Sequence, residues 1–250
     1  MKLKDKIAIV TGGARDIGKA VSLQLAREGA KVVVNYFGSA QAADDLVKEI
    51  INAGGQAIAV KADVTKATDV KLLIDATTKA FGEKINILVN VAGGLVARKT
   101  LEEMDEAFWD HVISLNLKSV FMMVKHVVPL MPAGSAIINF SSQAARDGGG
   151  PGATAYATGK GAVTTFTRGL AKELGPKGIR VNAVCPGMIA TSFHDTFTKP
   201  EVRTNVANAT PLRRQGQASE VGDLVIYLAS EASGFITGTN IDINGGLYFS

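Results

Sequence analysis

Residues 7–18 read Ile7-Ala8-Ile9-Val10-Thr11-Gly12-Gly13-Ala14-Arg15-Asp16-Ile17-Gly18. Four apolar residues in a row, three of them β-branched, read as a buried strand. The glycine-rich turn that follows leads into a segment, Ile17–Glu28, with apolar residues at helical spacing. Glycines at a strand-to-helix turn let backbone come close to a bound group, and the helix start offers free N–H groups to an anion. The stretch therefore reads as the first βα unit of an alternating fold with a phosphate-binding turn.

Working outward, the alternation continues. Strand-like runs recur at Lys31–Val34, Ala57–Val60, Ile87–Asn90, Ala136–Phe140, Arg180–Val184 and Asn240–Ile243. Helical patterns lie between the first six strands at Ala40–Ala53, Ala67–Phe81, Asp105–Leu130 and Ala153–Leu174, and a further one at Ser219–Ala229 precedes the last. Continuous apolar strands joined by helices imply a parallel sheet covered on both faces, with right-handed crossovers. The expected fold class is α/β: a Rossmann-like, doubly wound parallel sheet of seven strands, one domain over residues 1–250, with a ligand site at the switch point of the strand order. Gly29, Gly54-Gly55, Gly82 and Gly175-Pro176 stand where helix-terminating glycines belong. The irregular stretch Ile189–Gly216 is expected to be a flap over the site.

Composition narrows the class of function. Of 250 residues 46% are hydrophobic and 20% charged, which excludes a disordered chain. Basic and acidic residues, 27 and 23, are spread along the chain with no basic block, so no nucleic-acid partner is expected. The lone Cys185 cannot form an internal disulfide and fits a reducing compartment. No signal peptide is read at Met1–Asp5. The apolar stretch Val120–Val128 is broken by Lys125 and His126, so no membrane span is expected and the location read is cytoplasmic. No metal site is expected.

Tyr156-Ala157-Thr158-Gly159-Lys160 places a phenol and an amine at i and i+4, about 6 Å apart on one helix face. A phenol of pKa about 10 serves acid–base chemistry at neutral pH only when its anion is stabilised, and a neighbouring ammonium is expected to lower it. Ser142 stands just after the fifth strand, and Asn116 is a polar residue in an otherwise apolar helix. Ser141 is adjacent, but neighbours at a strand end face opposite ways.

Together these features resemble the short-chain dehydrogenase/reductase family over nearly the whole chain, from Lys6 to about Gly246. Thr11, Gly12 and Gly18 match its Thr-Gly-x-x-x-Gly-x-Gly turn, with Asp16 in place of the middle glycine. A carboxylate there costs Coulomb energy against a diphosphate unless it points away, and it is expected to cap the helix beginning at Ile17. Asp63-Val64 resembles the pair that holds the adenine. Asn90-Val91-Ala92-Gly93 resembles the Asn-Asn-Ala-Gly segment, with Val91 in place of the second Asn, and Cys185-Pro186-Gly187 with Thr191 resembles the segment over the nicotinamide. The Ser142–Tyr156 stretch is one residue longer than usual, at Gly148-Gly149-Gly150.

The resemblance implies a catalytic set of Asn116, Ser142, Tyr156 and Lys160. Ser142 would orient a carbonyl oxygen, Tyr156 protonate it, and Lys160 stabilise the tyrosinate and bind the cofactor ribose. Asn116 would hold a water that refills the proton. It also implies a nicotinamide cofactor on Gly12, Arg15, Asp16, Ile17, Gly18, Tyr36, Asp63, Val64, Asn90, Ala92, Gly93, Tyr156, Lys160, Pro186, Gly187, Ile189 and Thr191. The second strand ends Asn35-Tyr36-Phe37-Gly38-Ser39 without an acid, and Arg15 matches a position that binds a 2′-phosphate, with Asn35 and Ser39 as helpers. NADP(H) is favoured, with NAD(H) open.

Gly93–Lys99, the Gly148–Gly152 loop, Ser192-Phe193-His194 and Asp242–Tyr248 resemble bacterial reductases of the alginate-derived keto-uronate, 4-deoxy-L-erythro-5-hexoseulose uronate. Gly94, Arg98, Lys99 and His194 would then bind the substrate, the cations taking its carboxylate. The alternatives are a 3-oxoacyl-[acyl-carrier-protein] reductase or other ketone or sugar dehydrogenase, and, in a different class, a non-catalytic cofactor-binding sensor. Relatives pair the long helices and the last strand, so a homotetramer is expected.

Overall fold

The computed structural model describes residues 1–249. All seven expected strands form: β1 Ile7–Thr11, β2 Lys31–Tyr36, β3 Gln56–Lys61, β4 Ile87–Asn90, β5 Ala136–Phe140, β6 Arg180–Pro186 and β7 Asn240–Ile243. They make one parallel sheet in the order β3-β2-β1-β4-β5-β6-β7. The order reverses direction between β1 and β4, and Thr11 there pairs with Asn90. A crevice opens at such a point because the chain leaves the two strands towards opposite faces.

The central strands are mostly apolar because alternate side chains feed two separate cores. Ala8, Val10, Val32, Val34, Ile87 and Val89 face one core, closed by α1 Asp16–Arg27, α2 Ala40–Asn52 and, late in the chain, the helix Ala218–Ala229. Ile9, Val33, Leu88 and Ile137 face the other. That second core is closed by α3 Ala67–Phe81, by the long helix before β5, and by the helix Thr154–Leu174.

The long helix expected over 105–130 is a composite. It runs as α4 Glu106–Ile113, a widened π turn Ser114–Lys118, α5 Ser119–Val127 and a short 3-10 end. Side chains satisfy carbonyls around the widened turn: Asn116 Nδ2 donates to Val112 O at 2.9 Å and Ser119 Oγ to Leu115 O at 2.6 Å. An 18-residue window of this 25-residue helix has a mean hydropathy of 1.2, so the helix is long and apolar enough by composition to cross a bilayer despite its breaking charges. Its apolar side, with Val120, Met123, Val124 and Val127 fully buried, packs on the sheet instead.

The remaining helices are α6 Ala144–Asp147, which the sequence did not suggest, α7 Thr154–Leu174, α8 Ser192–Phe197, α9 Pro200–Ala209 and α10 Ala218–Ala229. Segment 189–216 is thus two short helices whose ends are stitched together by an Ile189–Gly216 bridge. One helix stop is corrected. Gly175 is right-handed (φ −54°) within a continuing 3-10 turn, and the left-handed residue that ends it is Gly178 (φ 71°). Pro176 fits the first turn of a helix, so it extends the turn.

Candidate active site

One turn and one helix start make the floor. Gly18 lies so near the preceding turn that a Cβ on it would sit 2.1 Å from the Gly12 carbonyl oxygen. Only glycine allows this backbone-on-backbone approach, and it brings the start of α1 to the end of β1. Asn35, at 2% exposure, fixes the turn from beneath: its Oδ1 accepts from Gly12 N and its Nδ2 donates to the Ala62 carbonyl. It is therefore part of the scaffold and not the phosphate helper expected of it.

The turn opens into a cleft of about 1070 Å³. Gly12, Arg15, Asp16, Ile17, Gly18, Tyr36 and Ser39 line one end, and Ala92, Gly93, Ser142, Tyr156, Lys160, Pro186, Gly187, Ile189 and Thr191 line its middle. Gly94, Arg98 and His194 lie at the far end. Four expected contacts lie off the lining. Asp63 turns back to accept from Thr65 and pairs with Lys66 at 3.5 Å, and Val64 is buried in the core. Asn90 donates to Asn139 Oδ1 at 2.9 Å beneath the sheet edge. Lys99 places its ammonium 4.7 Å from the centre of the Phe108 ring.

Asp16 does not cap its own helix. The cap position is Arg15, without a side-chain bond, and Asp16 itself takes the left-handed conformation (φ 52°) in which a glycine would be unstrained. Its carboxylate points away along the cleft and accepts from Ser192 N at 2.8 Å and Ser192 Oγ at 2.5 Å. Arg15 lines the same cleft as Tyr36 and Ser39.

In the middle, Ser141 and Ser142 face opposite ways as expected. Ser141 Oγ donates to the Lys160 carbonyl at 2.8 Å inside the core, while Ser142 lies on the cleft and its Oγ accepts from Ala144 N at 3.1 Å. Lys160 is only 4% exposed, and its ammonium donates to the Phe140 carbonyl at 2.8 Å. Burial pulls its pKa from 10.5 to about 8. Its ammonium lies 5.8 Å from the Tyr156 ring centre. The expected lowering of the phenol is not found. Burial raises the Tyr156 pKa, opposed by the hydrogen bond with Ser142, so the phenol keeps its proton at neutral pH.

Asn116 is fully buried and does not line the cleft. Its amide clasps Gly94, accepting from the backbone N at 3.0 Å and donating to the carbonyl at 2.8 Å. A Cβ on Gly93 would lie 2.8 Å from Asn116 Oδ1 and 2.9 Å from Lys160 Nζ, so a side chain there would displace one of these two groups. Asn116 thus shapes the loop after β4, where the expected role was to hold a water.

The expected anion-binding cations are differently employed. Arg98 spans two neighbouring segments, donating from Nε to Phe197 O at 3.0 Å and from Nη1 to Pro151 O at 2.8 Å. His194 is pulled down to about pKa 4 by burial and by Arg203 and Arg98, so it is uncharged at neutral pH. Its Nδ1 sits 3.0 Å from Thr198 Oγ1. Sequence reasoning missed the apolar wall at this end: Leu95, Leu115, Val202, Val206 and Leu247. Val202 and Val206, four apart on α9, were the available signal.

The lysine carries a pH signature. Its folded pKa lies below its ordinary value, so between about pH 8 and 10.5 the unfolded chain binds more protons and stability rises with pH. Compared with Lys160→Met in chemical denaturation, the wild type is expected to gain stability across that window. A constant difference between the two would contradict the burial described.

Comparison with known proteins agrees with this geometry. A family profile described as Enoyl-(Acyl carrier protein) reductase matches residues 12–248. The chain is 40% identical over 245 residues to the 3-oxoacyl-[acyl-carrier-protein] reductase FabG of Staphylococcus aureus, covering 97% of this chain and 98% of that protein. A dehydrogenase/reductase from Sinorhizobium meliloti superposes with a TM-score of 0.94 at 34% identity, covering 99% and 97% of the two chains. A blue fluorescent protein from a metagenomic library, solved in complex with NADPH, superposes at 0.93 with 31% identity over the whole of both chains. With its seven-stranded parallel sheet and a cleft at the switch point, the chain belongs to the short-chain dehydrogenase/reductase family of NAD(P)-dependent oxidoreductases.

Proposed function

We propose that the protein is an NADPH-dependent carbonyl reductase whose substrate is a 3-oxoacyl thioester. The observation that carries the substrate class is the far end of the cleft. There Leu95, Leu115, Phe193, Val202, Val206 and Leu247 offer an apolar wall suited to an acyl chain. The keto-uronate reading needs free cations at that end. Arg98 is tied to two carbonyls, His194 is neutral and Lys99 lies off the lining. The relative named 3-oxoacyl-[acyl-carrier-protein] reductase supports the same choice.

The cofactor would fit the cleft edge that the close Gly12–Gly18 approach builds, with the diphosphate on the free N–H groups at the start of α1. When bound, the nicotinamide supplies the hydride. Ser142 holds the substrate oxygen, and Tyr156, protonated at neutral pH, gives its phenolic proton to that oxygen. Lys160, 5.8 Å from the ring centre, would stabilise the phenolate, and its ammonium would hold the cofactor ribose. Asn116 holds the Gly93-Gly94 loop on the cleft wall through both of its bonds to Gly94. A sensor would have no use for this group. Tyr156→Phe is expected to cut turnover of an acetoacetyl thioester by about 10²-fold or more with cofactor affinity retained. The same assay run on the keto-uronate decides between substrates: strong preference for the sugar acid would overturn the thioester reading.

NADPH is proposed because β2 ends without an acid and Arg15 and Ser39 both line the cleft. Arg15→Ala is expected to weaken NADPH by about 1.5–3 kcal/mol and leave NADH almost unchanged, as measured by cofactor fluorescence. Equal loss for both would make Arg15 a diphosphate contact.

We also propose a cytoplasmic homotetramer. Trp109 and Phe121 are 38% and 42% exposed on α4 and α5, and Phe121 meets Phe166 of α7 at 6.5 Å, forming an apolar face on the long helices. At the other end β7 is an edge strand, and Asn240 on it has a buried amide without a hydrogen-bond partner among the described residues. Light scattering is expected to give four times the chain mass at micromolar concentration, and a stable monomer would contradict it.

A further inference from the structure

Segment 189–216 lies over the cleft through α8, and α8 is fastened at both ends by residues from elsewhere in the chain. At its first residue, Ser192 gives both its backbone N–H and its hydroxyl to the carboxylate of Asp16. At its last, the Phe197 carbonyl accepts from Arg98, whose other donor holds Pro151. Between the two ties, Phe193 lies 6.1 Å from the Tyr156 ring and 5.2 Å from Phe197, covering the phenol. The first N–H groups of a short helix have no partner within it, and Thr191 does not supply one, since its hydroxyl turns to the Ile189 carbonyl. Asp16 does. It reaches across 176 residues of sequence from the turn that cradles the cofactor.

We propose that Asp16 is a positioning residue that fastens the α8 lid to the cofactor turn, and so sets how long the dinucleotide stays bound. The inference rests on the cofactor reading above, and it makes a prediction opposite to plain electrostatics. If the carboxylate acted only as a negative charge near the diphosphate, removing it would tighten binding and slow release. If it is a latch, removing it frees the lid and speeds release.

Two substitutions separate charge from latch. Asp16→Gly suits the left-handed backbone (φ 52°) but leaves Ser192 untied. Asp16→Asn also tolerates that backbone, removes the charge, and keeps an oxygen to accept from Ser192 N and an amide to donate to Ser192 Oγ. Stopped-flow displacement of NADPH is expected to show release about tenfold faster or more from Asp16→Gly, the scale of a hydrogen bond to a charged group. Asp16→Asn should stay within about twofold of wild type. Hydrogen exchange over residues 189–198 of the free protein should speed up in Asp16→Gly and not in Asp16→Asn. Release from Asp16→Gly at or below the wild-type rate, or equal acceleration in both variants, overturns the latch. Failure of the wild type to bind NADPH strikes the cofactor reading instead, and the exchange measurement then decides the latch alone.

Discussion

The site depends on one close approach. The start of α1 lies against the end of β1 so tightly that the Gly12 carbonyl oxygen occupies the space of any side chain on Gly18. This places the free N–H groups of a helix start at the mouth of the switch point between β1 and β4. Everything that makes the cleft selective is arranged around that fixed edge. Asn35 holds it from below, and Arg15 and Ser39 extend it at one end. The carboxylate of Asp16 ties it to the lid.

The second organising feature is a charge held in the core. Lys160 keeps its ammonium at 4% exposure against a single carbonyl, which costs desolvation and pulls its pKa to about 8. Such a cost persists where the surroundings over-determine the geometry. Here they do: Asn116 and Lys160 together leave no room for a side chain on Gly93, and Ser141 holds the Lys160 backbone. The widened turn in the long helix belongs to the same construction, since Asn116 stands in it and caps the Val112 carbonyl.

The sheet was legible from residue pattern because most of its strands, the central ones buried on both faces, read as near-continuous apolar runs between helices. β4, β5 and β7 have the expected bounds, and Ser142, Tyr156 and Lys160 meet on the cleft as their spacing implies. What escaped reading depends on contacts distant in sequence. Asp16 is a good helix cap by residue type, yet its partner lies 176 residues away and no local pattern announces it. Arg98 and His194 read as anion binders because they are basic residues near the site. Their engagement by Phe197, Pro151 and Thr198, and the burial that neutralises His194, arise only when the segments fold together. Tyr156 was expected to titrate low from its neighbour, but the Lys160 ammonium is directed at Phe140, and desolvation outweighs the hydrogen bond with Ser142.

The most direct test of this account is a crystal structure with NADP⁺ bound. The account predicts the diphosphate on the backbone N–H groups at Ile17 and Gly18, the nicotinamide between Tyr156 and Gly187, and the Asp16–Ser192 bonds intact across it. A dinucleotide lying outside the turn, or one whose binding turns Asp16 away from Ser192, would contradict it.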